Sequence, residues 1–134
     1  MMKKYGIIVL VAVVMLVLAA YGKQKAGERP FKDLEASEIA SATVYLEQDD
    51  KTIQINDIDE LTDYLNVLII YGEDNSYKEY SGSATVFTLT MTDGTQMYIV
   101  PYMPFLVIDG VGYQAEYETC YALTRYAVNL PYNE

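Results

Sequence analysis

The chain of 134 residues contains no histidine, no tryptophan and one cysteine, Cys120. Without histidine there is no imidazole base, no serine–histidine–aspartate triad and no histidine-ligated zinc. A single thiol excludes an internal disulfide and a metal site built from several cysteines. We therefore expect no metal, no other cofactor and no catalytic residue of these classes.

Basic residues are scarce after the N-terminal segment. From Phe31 onward the chain has four lysines and arginines against 18 aspartates and glutamates, a net charge of −14. A surface of this sign repels phosphate groups, which excludes nucleic acid as a partner and limits membrane contact to the N-terminal segment. The charge serves either solubility or the attraction of a cationic partner.

The N-terminus has the composition of an export leader. Lys3 and Lys4 precede an unbroken apolar run of 14 residues, which fits a signal peptide and is short for a membrane span. The stretch "LAAYGKQK" resembles a lipoprotein cleavage site, but Tyr21 stands where the lipid-bearing cysteine would be. The sequence thus predicts an extracytoplasmic protein that is secreted or held at the cell membrane.

The leader sets the predicted domain boundaries. Residues 1–21 are interpreted as a signal peptide or N-terminal membrane anchor. Residues 22–30, with two glycines and a proline, form a polar tether. Residues 31–134 are long enough for one extracytoplasmic domain with one core.

Strand patterns dominate this domain. Thr85 to Thr92 is the clearest, because apolar residues alternate there with threonines. Asp93-Gly94 and Asp109-Gly110 are each typical of a two-residue hairpin turn. Gly72 to Gly82 is interpreted as a polar loop. Prolines in "PYMPF" (101–105) predict an interruption of the strand ladder.

Two amphipathic helices complete the pattern. The first follows Asn56 or Asp57, either of which can cap it, and the second runs from about Glu118 to Leu130. The order β-β-α-β-β-β-β-β-α predicts an α+β fold: a mostly antiparallel curved sheet with helices packed on one face.

Most candidate catalytic or metal-binding residues have a simpler structural explanation. The acidic segment Asn56 to Glu60 lacks the ligand spacing and glycine of a calcium loop, and helix capping explains it. No serine lies in a motif that pairs it with lysine. Cys120 falls on the apolar face of a predicted helix, which favours a buried structural thiol. Carboxylate pairs for hydrolysis remain open among Glu47, Glu79, Glu116 and Glu118.

Tyrosine is the unusual feature of the composition, with 14 residues. Tyrosines either cover the edges of a core or present rigid amphipathic area to a ligand. If a binding surface exists, the polar loop and the proline-containing segment predict it at Tyr77, Tyr80, Tyr98 and Tyr102.

Four stretches, "PFKDLEASEIASATVYL", "IDELTDYLN", "FTLTMTDGTQ" and "PFLVIDGVGYQAEYETCYAL", resemble an uncharacterised extracytoplasmic domain of Gram-positive bacteria. That domain occurs in small lipoproteins and appended to membrane metallopeptidases of the β-lactam-sensor type. The resemblance covers about Pro30 to Leu130. It implies a location outside the membrane and no catalytic residues.

Three hypotheses for function follow. The first is a non-catalytic module of the cell envelope that binds a protein, a peptide or a cationic ligand at the cell surface. The second is a small hydrolase that uses carboxylates. The third is a structural spacer or accessory domain of a membrane complex.

Overall fold

The computed structural model describes residues 27–131 and shows the predicted α+β fold. Seven strands form one sheet, and every pair of neighbours is antiparallel. The order of strands and α-helices along the chain is the one predicted. The strands are β1 (Ile39–Leu46), β2 (Lys51–Ile55), β3 (Ile70–Glu73), β4 (Thr85–Met91), β5 (Gln96–Tyr102), β6 (Phe105–Ile108) and β7 (Val111–Ala115). The α-helices are α1 (Ile58–Asn66) and α2 (Tyr117–Val128), and short 3-10 helices occupy Ala36–Glu38, Glu47–Asp49 and Asn75–Glu79.

The sheet order differs from the chain order. Across the sheet the strands lie as β2-β1-β4-β5-β6-β7-β3. Because β2 and β3 are the two edges, the segment with α1 leads from one edge to the other. The chain must then return from β3 to β4 past β7, β6 and β5, and this return forms the candidate site described below.

Both α-helices pack against the same face of the sheet, as predicted. Leu61 and Leu65 of α1 and Leu123 of α2 are fully buried there. Their neighbours in the core are apolar side chains of the central strands, among them Val44, Phe87, Leu89 and Ile99. Burial of these side chains removes the largest apolar areas of the chain from water and supplies the main stabilising contribution.

The two Asp-Gly turns differ in length. Asp109 and Gly110 both have positive φ, 50° and 85°, and Ile108 pairs directly with Val111. This is the predicted two-residue turn. The prediction for Asp93-Gly94 is wrong by one residue: the Met91 amide donates to the Thr95 carbonyl, so three residues form the loop, with Gly94 at φ 90°. The Asp93 carboxylate accepts from the Thr95 amide at 2.9 Å and holds this longer loop.

Two other predictions about irregular segments are partly right. The ladder between β4 and β5 ends before Pro101, as the prolines predict, but the strand itself continues. β5 does not stop at Pro101, which pairs with Leu106 of β6. Proline is tolerated because the pairing of β5 with β4 already ends at Ile99, so no partner on that side needs its amide. The predicted loop from Gly72 to Gly82 is partly ordered, since it contains the end of β3 and the 3-10 helix Asn75–Glu79.

The last residues of the predicted tether lie against the domain. Glu28 forms a β-bridge with Ile70, and Arg29 Nε donates to the Asn66 carbonyl at 2.9 Å. The folded part thus includes residues 27–30. The predicted leader, residues 1–21, and the first half of the tether lie outside the described residues. Within residues 27–131, no helix is long and apolar enough to cross a membrane.

Candidate functional site

The face of the sheet opposite the α-helices carries the candidate site. Along β5, Ile99 and Pro101 are buried on the core side, whereas Tyr98, Val100 and Tyr102 point to the other side. The register pairs Val100 with Val107 and Tyr102 with Phe105 of β6. Strand alternation therefore places two tyrosines and three apolar side chains on one surface that the α-helices leave uncovered.

The return from β3 to β4, residues 74–84, crosses this surface, and we call it the crossing segment. The Asp74 amide donates to the Gly112 carbonyl at 2.8 Å, and the Gly112 amide donates to Asn75 Oδ1 at 2.8 Å. Asp74 also accepts from the Ser76 amide and from Gln114 Nε2, both at 3.0 Å. These bonds fix the beginning of the 3-10 helix to β7.

Tyr77 and Tyr80 then lie over β6. Their ring centroids are 6.5 Å and 5.6 Å from that of Phe105, which is almost completely buried beneath them. The Tyr77 hydroxyl donates to the Gly110 carbonyl at 2.8 Å. Gly112 permits the close approach, because a Cβ at this position would collide with the Tyr77 ring.

The crossing segment and β5 enclose an open groove of about 390 Å³. We call it the tyrosine groove. Its lining residues are Tyr77, Lys78, Tyr80, Ala84, Tyr98, Val100, Tyr102, Val107 and Gly110. The floor is apolar, and the walls are tyrosine rings from two segments that are distant in sequence. All four tyrosines named from the sequence are thus brought together.

The four tyrosines are not equivalent. Tyr77 is held by its hydrogen bond and by the packing on Phe105, so it builds the wall. Tyr80 and Tyr98 are 59% and 44% exposed and present their rings to solvent. Tyr98 is positioned by its backbone, because its amide donates to Asp109 Oδ1 at 2.8 Å. Tyr102 stands beside Gly82 at the far end of the groove.

Among residues 27–131, one charged side chain lines the tyrosine groove. It is Lys78, whose Nζ lies 5.9 Å from the centroid of the Tyr77 ring. Sequence reasoning did not select Lys78 or the floor residues Val100 and Val107. Alternation along β5 and β6 could have identified the two valines, whereas Lys78 depends on how the crossing segment folds.

The other candidate residues lie elsewhere. Cys120 is fully buried, its Sγ lies 3.6 Å from the Phe105 carbonyl oxygen, and burial raises the pKa of its thiol to about 12. This is a structural cysteine, since a reactive one needs a lowered pKa and access. Asp57 caps α1, its carboxylate accepting from the Glu60 amide at 3.0 Å. Within residues 27–131, no group of three potential metal ligands is found.

Asp74 and Asp93 do not have the properties of a general acid. The pKa of Asp74 and that of Asp93 are lowered, chiefly by hydrogen bonds from the side chains of Ser76 and Thr95. A general acid needs a raised pKa. Glu47 has a structural role instead, because its carboxylate accepts from the Ala84 amide at 2.8 Å where the crossing segment enters β4.

No protein-family model, no curated protein and no solved structure matches this chain. The resemblance to the extracytoplasmic domain stays a prediction.

Proposed function

We propose that this protein is a non-catalytic binding module of the cell envelope. Its tyrosine groove would take up an apolar or aromatic side chain of a protein or peptide partner. The observation that carries the proposal is the convergence of Tyr77, Tyr80, Tyr98 and Tyr102 on one open groove. The extracytoplasmic location rests on the predicted leader.

The composition of the groove favours this kind of occupant. A floor of Val100, Val107 and Ala84 offers contact only to apolar groups. Exposed tyrosine rings add rigid area that loses little side-chain entropy on binding, and their hydroxyls can pair with the partner's backbone. The volume is within the range of ligand pockets and suits one large side chain or a few small ones.

The charge of the groove argues against a cation as its direct occupant. Lys78 would repel an ammonium or guanidinium group at this position. The net charge of −14 from Phe31 onward acts over longer distances and would speed the approach of a basic partner. We therefore propose that the negative charge of the whole domain attracts a basic partner, whereas the tyrosine groove itself binds an apolar group of that partner.

The hydrolase and spacer hypotheses have less support. The described residues that line the tyrosine groove include no carboxylate, which gives no support to a carboxylate-dependent reaction there. A spacer has no need of an open groove flanked by exposed aromatic rings, which are an aggregation hazard unless a partner covers them.

Selection from a displayed library of random peptides tests the proposal. We expect enriched peptides to contain aromatic or large aliphatic residues and to bind the wild-type domain. A double variant, Tyr80→Ser with Tyr98→Ser, should bind them at least about tenfold more weakly, because removing two contact rings takes away more than 1.4 kcal/mol.

A matched control removes two other exposed tyrosines. Tyr117 and Tyr121 on α2 are 60% and 40% exposed and stack on each other away from the groove. The variant Tyr117→Ser with Tyr121→Ser should retain the affinity. Equal losses in both double variants, or no enrichment at all, would contradict the proposal.

A further inference from the structure

The cleft between α1 and α2, on the opposite face of the sheet, holds a second surface. Three adjoining depressions of about 310, 460 and 210 Å³ follow this cleft. The first two share Tyr64 and Ala122, and the last two share Glu60, Tyr126, Leu130 and Pro131. They form one elongated channel, which we call the helix furrow.

Tyr126 lines this furrow, and its hydroxyl is buried without a partner among the described residues. Tyr126 is 7% exposed, its ring stacks on Tyr64 with centroids 4.7 Å apart, and it lines two of the depressions. Among residues 27–131 nothing forms a hydrogen bond with its hydroxyl. The hydroxyl of Thr119, two helical turns earlier on α2 and in the first depression, is also buried and unpaired within the described chain. A buried hydroxyl without a partner is unfavourable, and a ligand that supplied one would remove the penalty.

The charges along the furrow have one dominant sign. Within the part of the chain that the structure describes, four carboxylates line it, from Asp57, Glu60, Asp63 and Glu118, against one guanidinium, from Arg125. Asp57, Glu60 and Tyr126 line the same depression. Burial, followed by the charges of Glu60 and Asp57, raises the pKa of the Tyr126 phenol. Carboxylates accept hydrogen bonds, and a phenol oxygen can accept one more. The complementary group is a cation with several N–H donors.

We propose that the helix furrow is an interaction surface for a basic segment of a partner protein. An arginine or lysine head pairs with Glu60 and Asp57 and donates to the Tyr126 oxygen. The aliphatic stem of that side chain lies on Tyr64, Ala122 and Leu130. This surface is independent of the proposed tyrosine groove, because the two lie on opposite faces of the sheet.

An NMR titration of the whole domain with a defined probe tests the assignment. The probe is a short blocked peptide that alternates arginine with leucine, and its control carries glutamate in place of arginine. We expect the arginine peptide to shift backbone amides of α1 and α2 along the furrow and the glutamate peptide to leave them unchanged. Raising the salt from about 50 mM to about 300 mM should weaken the binding.

Two variants of α1 distinguish binding at a specific site from general electrostatic attraction of the peptide to the domain. Glu60→Gln should weaken binding about tenfold, because a charge-assisted hydrogen bond is lost. Asp59→Asn removes the same charge from the neighbouring, exposed position, which does not line the furrow. It should change the affinity by no more than about twofold.

Tyr126→Phe tests whether the Tyr126 hydroxyl contributes to binding or only to packing of the core. The variant should bind the arginine peptide several times more weakly while its free energy of unfolding stays the same or rises, because an unpaired hydroxyl has been removed. Equal weakening by Glu60→Gln and Asp59→Asn, amide shifts elsewhere, or no binding by the wild type would overturn the proposal.

Discussion

Gly112 is the residue on which the geometry of the tyrosine groove depends. The crossing segment approaches β7 so closely that a Cβ here would also stand 2.5 Å from the Asp74 carbonyl oxygen. That oxygen belongs to backbone held by several hydrogen bonds, so it cannot easily move. The tyrosines of the crossing segment keep their positions only if this residue has no side chain.

Substitution of Gly112 by alanine should therefore lower the free energy of unfolding by about 1–3 kcal/mol, the range for forced overpacking. Urea denaturation measures the change. The control is Gly72→Ala, where nothing lies within 4 Å of the added Cβ. This second variant should stay within about 0.5 kcal/mol of the wild type. Equal stability of both variants would show that the crossing segment does not pack as described.

Because of Cys120, we expect the free energy of unfolding of the domain to fall at alkaline pH. Its thiol has a pKa of about 12 in the folded domain and an ordinary value of 9.0 when unfolded, because burial disfavours the thiolate. Folding therefore favours the protonated thiol. The contribution is complete below pH 9 and is lost as the pH rises toward 12.

A comparison of the wild type with Cys120→Ala isolates this contribution. The variant should be less stable at neutral pH, because the core loses a buried sulfur. That deficit should shrink by about 2 kcal/mol as the pH rises from 9 to about 11, since only the wild type has the thiol to ionise. Urea denaturation with a phosphine reductant measures it at each pH. A deficit that stays constant with pH would mean that the thiol is accessible to water in the folded state.

At the level of elements, α1 begins at a defined cap. The sequence left Asn56 and Asp57 as alternatives, and the structure shows that the Asp57 carboxylate accepts from the Glu60 amide. Asp57→Ala should lower the free energy of unfolding by about 1 kcal/mol. Asn56→Ala should have little effect. Thermal or urea denaturation of the two variants compares them, and the reverse ranking would assign the cap to Asn56.

Local patterns predicted the elements better than their arrangement. Alternation identified β4 through Phe87 and Leu89, and helical spacing identified the buried face of α1, because both signals depend on neighbouring residues. The sheet order could not be predicted, since the pairing of β3 with β7 joins residues about 40 positions apart. The length of the Asp93-Gly94 loop depends on one side-chain hydrogen bond that the dipeptide does not reveal.

The tyrosines of the candidate site were selected by composition and position alone. Tyr98 and Tyr102 lie on one face of β5. Their meeting with Tyr77 and Tyr80 depends on the crossing of β7 and β6, which Gly112 permits. No local signal marks that glycine, because its significance lies in a contact with Tyr77, 35 residues earlier. Lys78 was missed for the same reason.

For the whole molecule, the sheet separates two surfaces of different character. One face carries the tyrosine groove with its apolar floor, and the other carries the helix furrow with its carboxylates. A partner with an apolar anchor and a basic segment would match both. The net negative charge would attract such a partner before either contact forms.

The central claim is that the tyrosine groove binds a side chain of a partner, and an amide NMR map tests it most directly. The domain is titrated with the best peptide from the displayed library. We predict that the largest shifts occur at Lys78, along β5 from Tyr98 to Tyr102, and at Val107, and that Tyr80→Ser with Tyr98→Ser abolishes them. Shifts centred on any other surface, or shifts that persist in this double variant, would contradict the account.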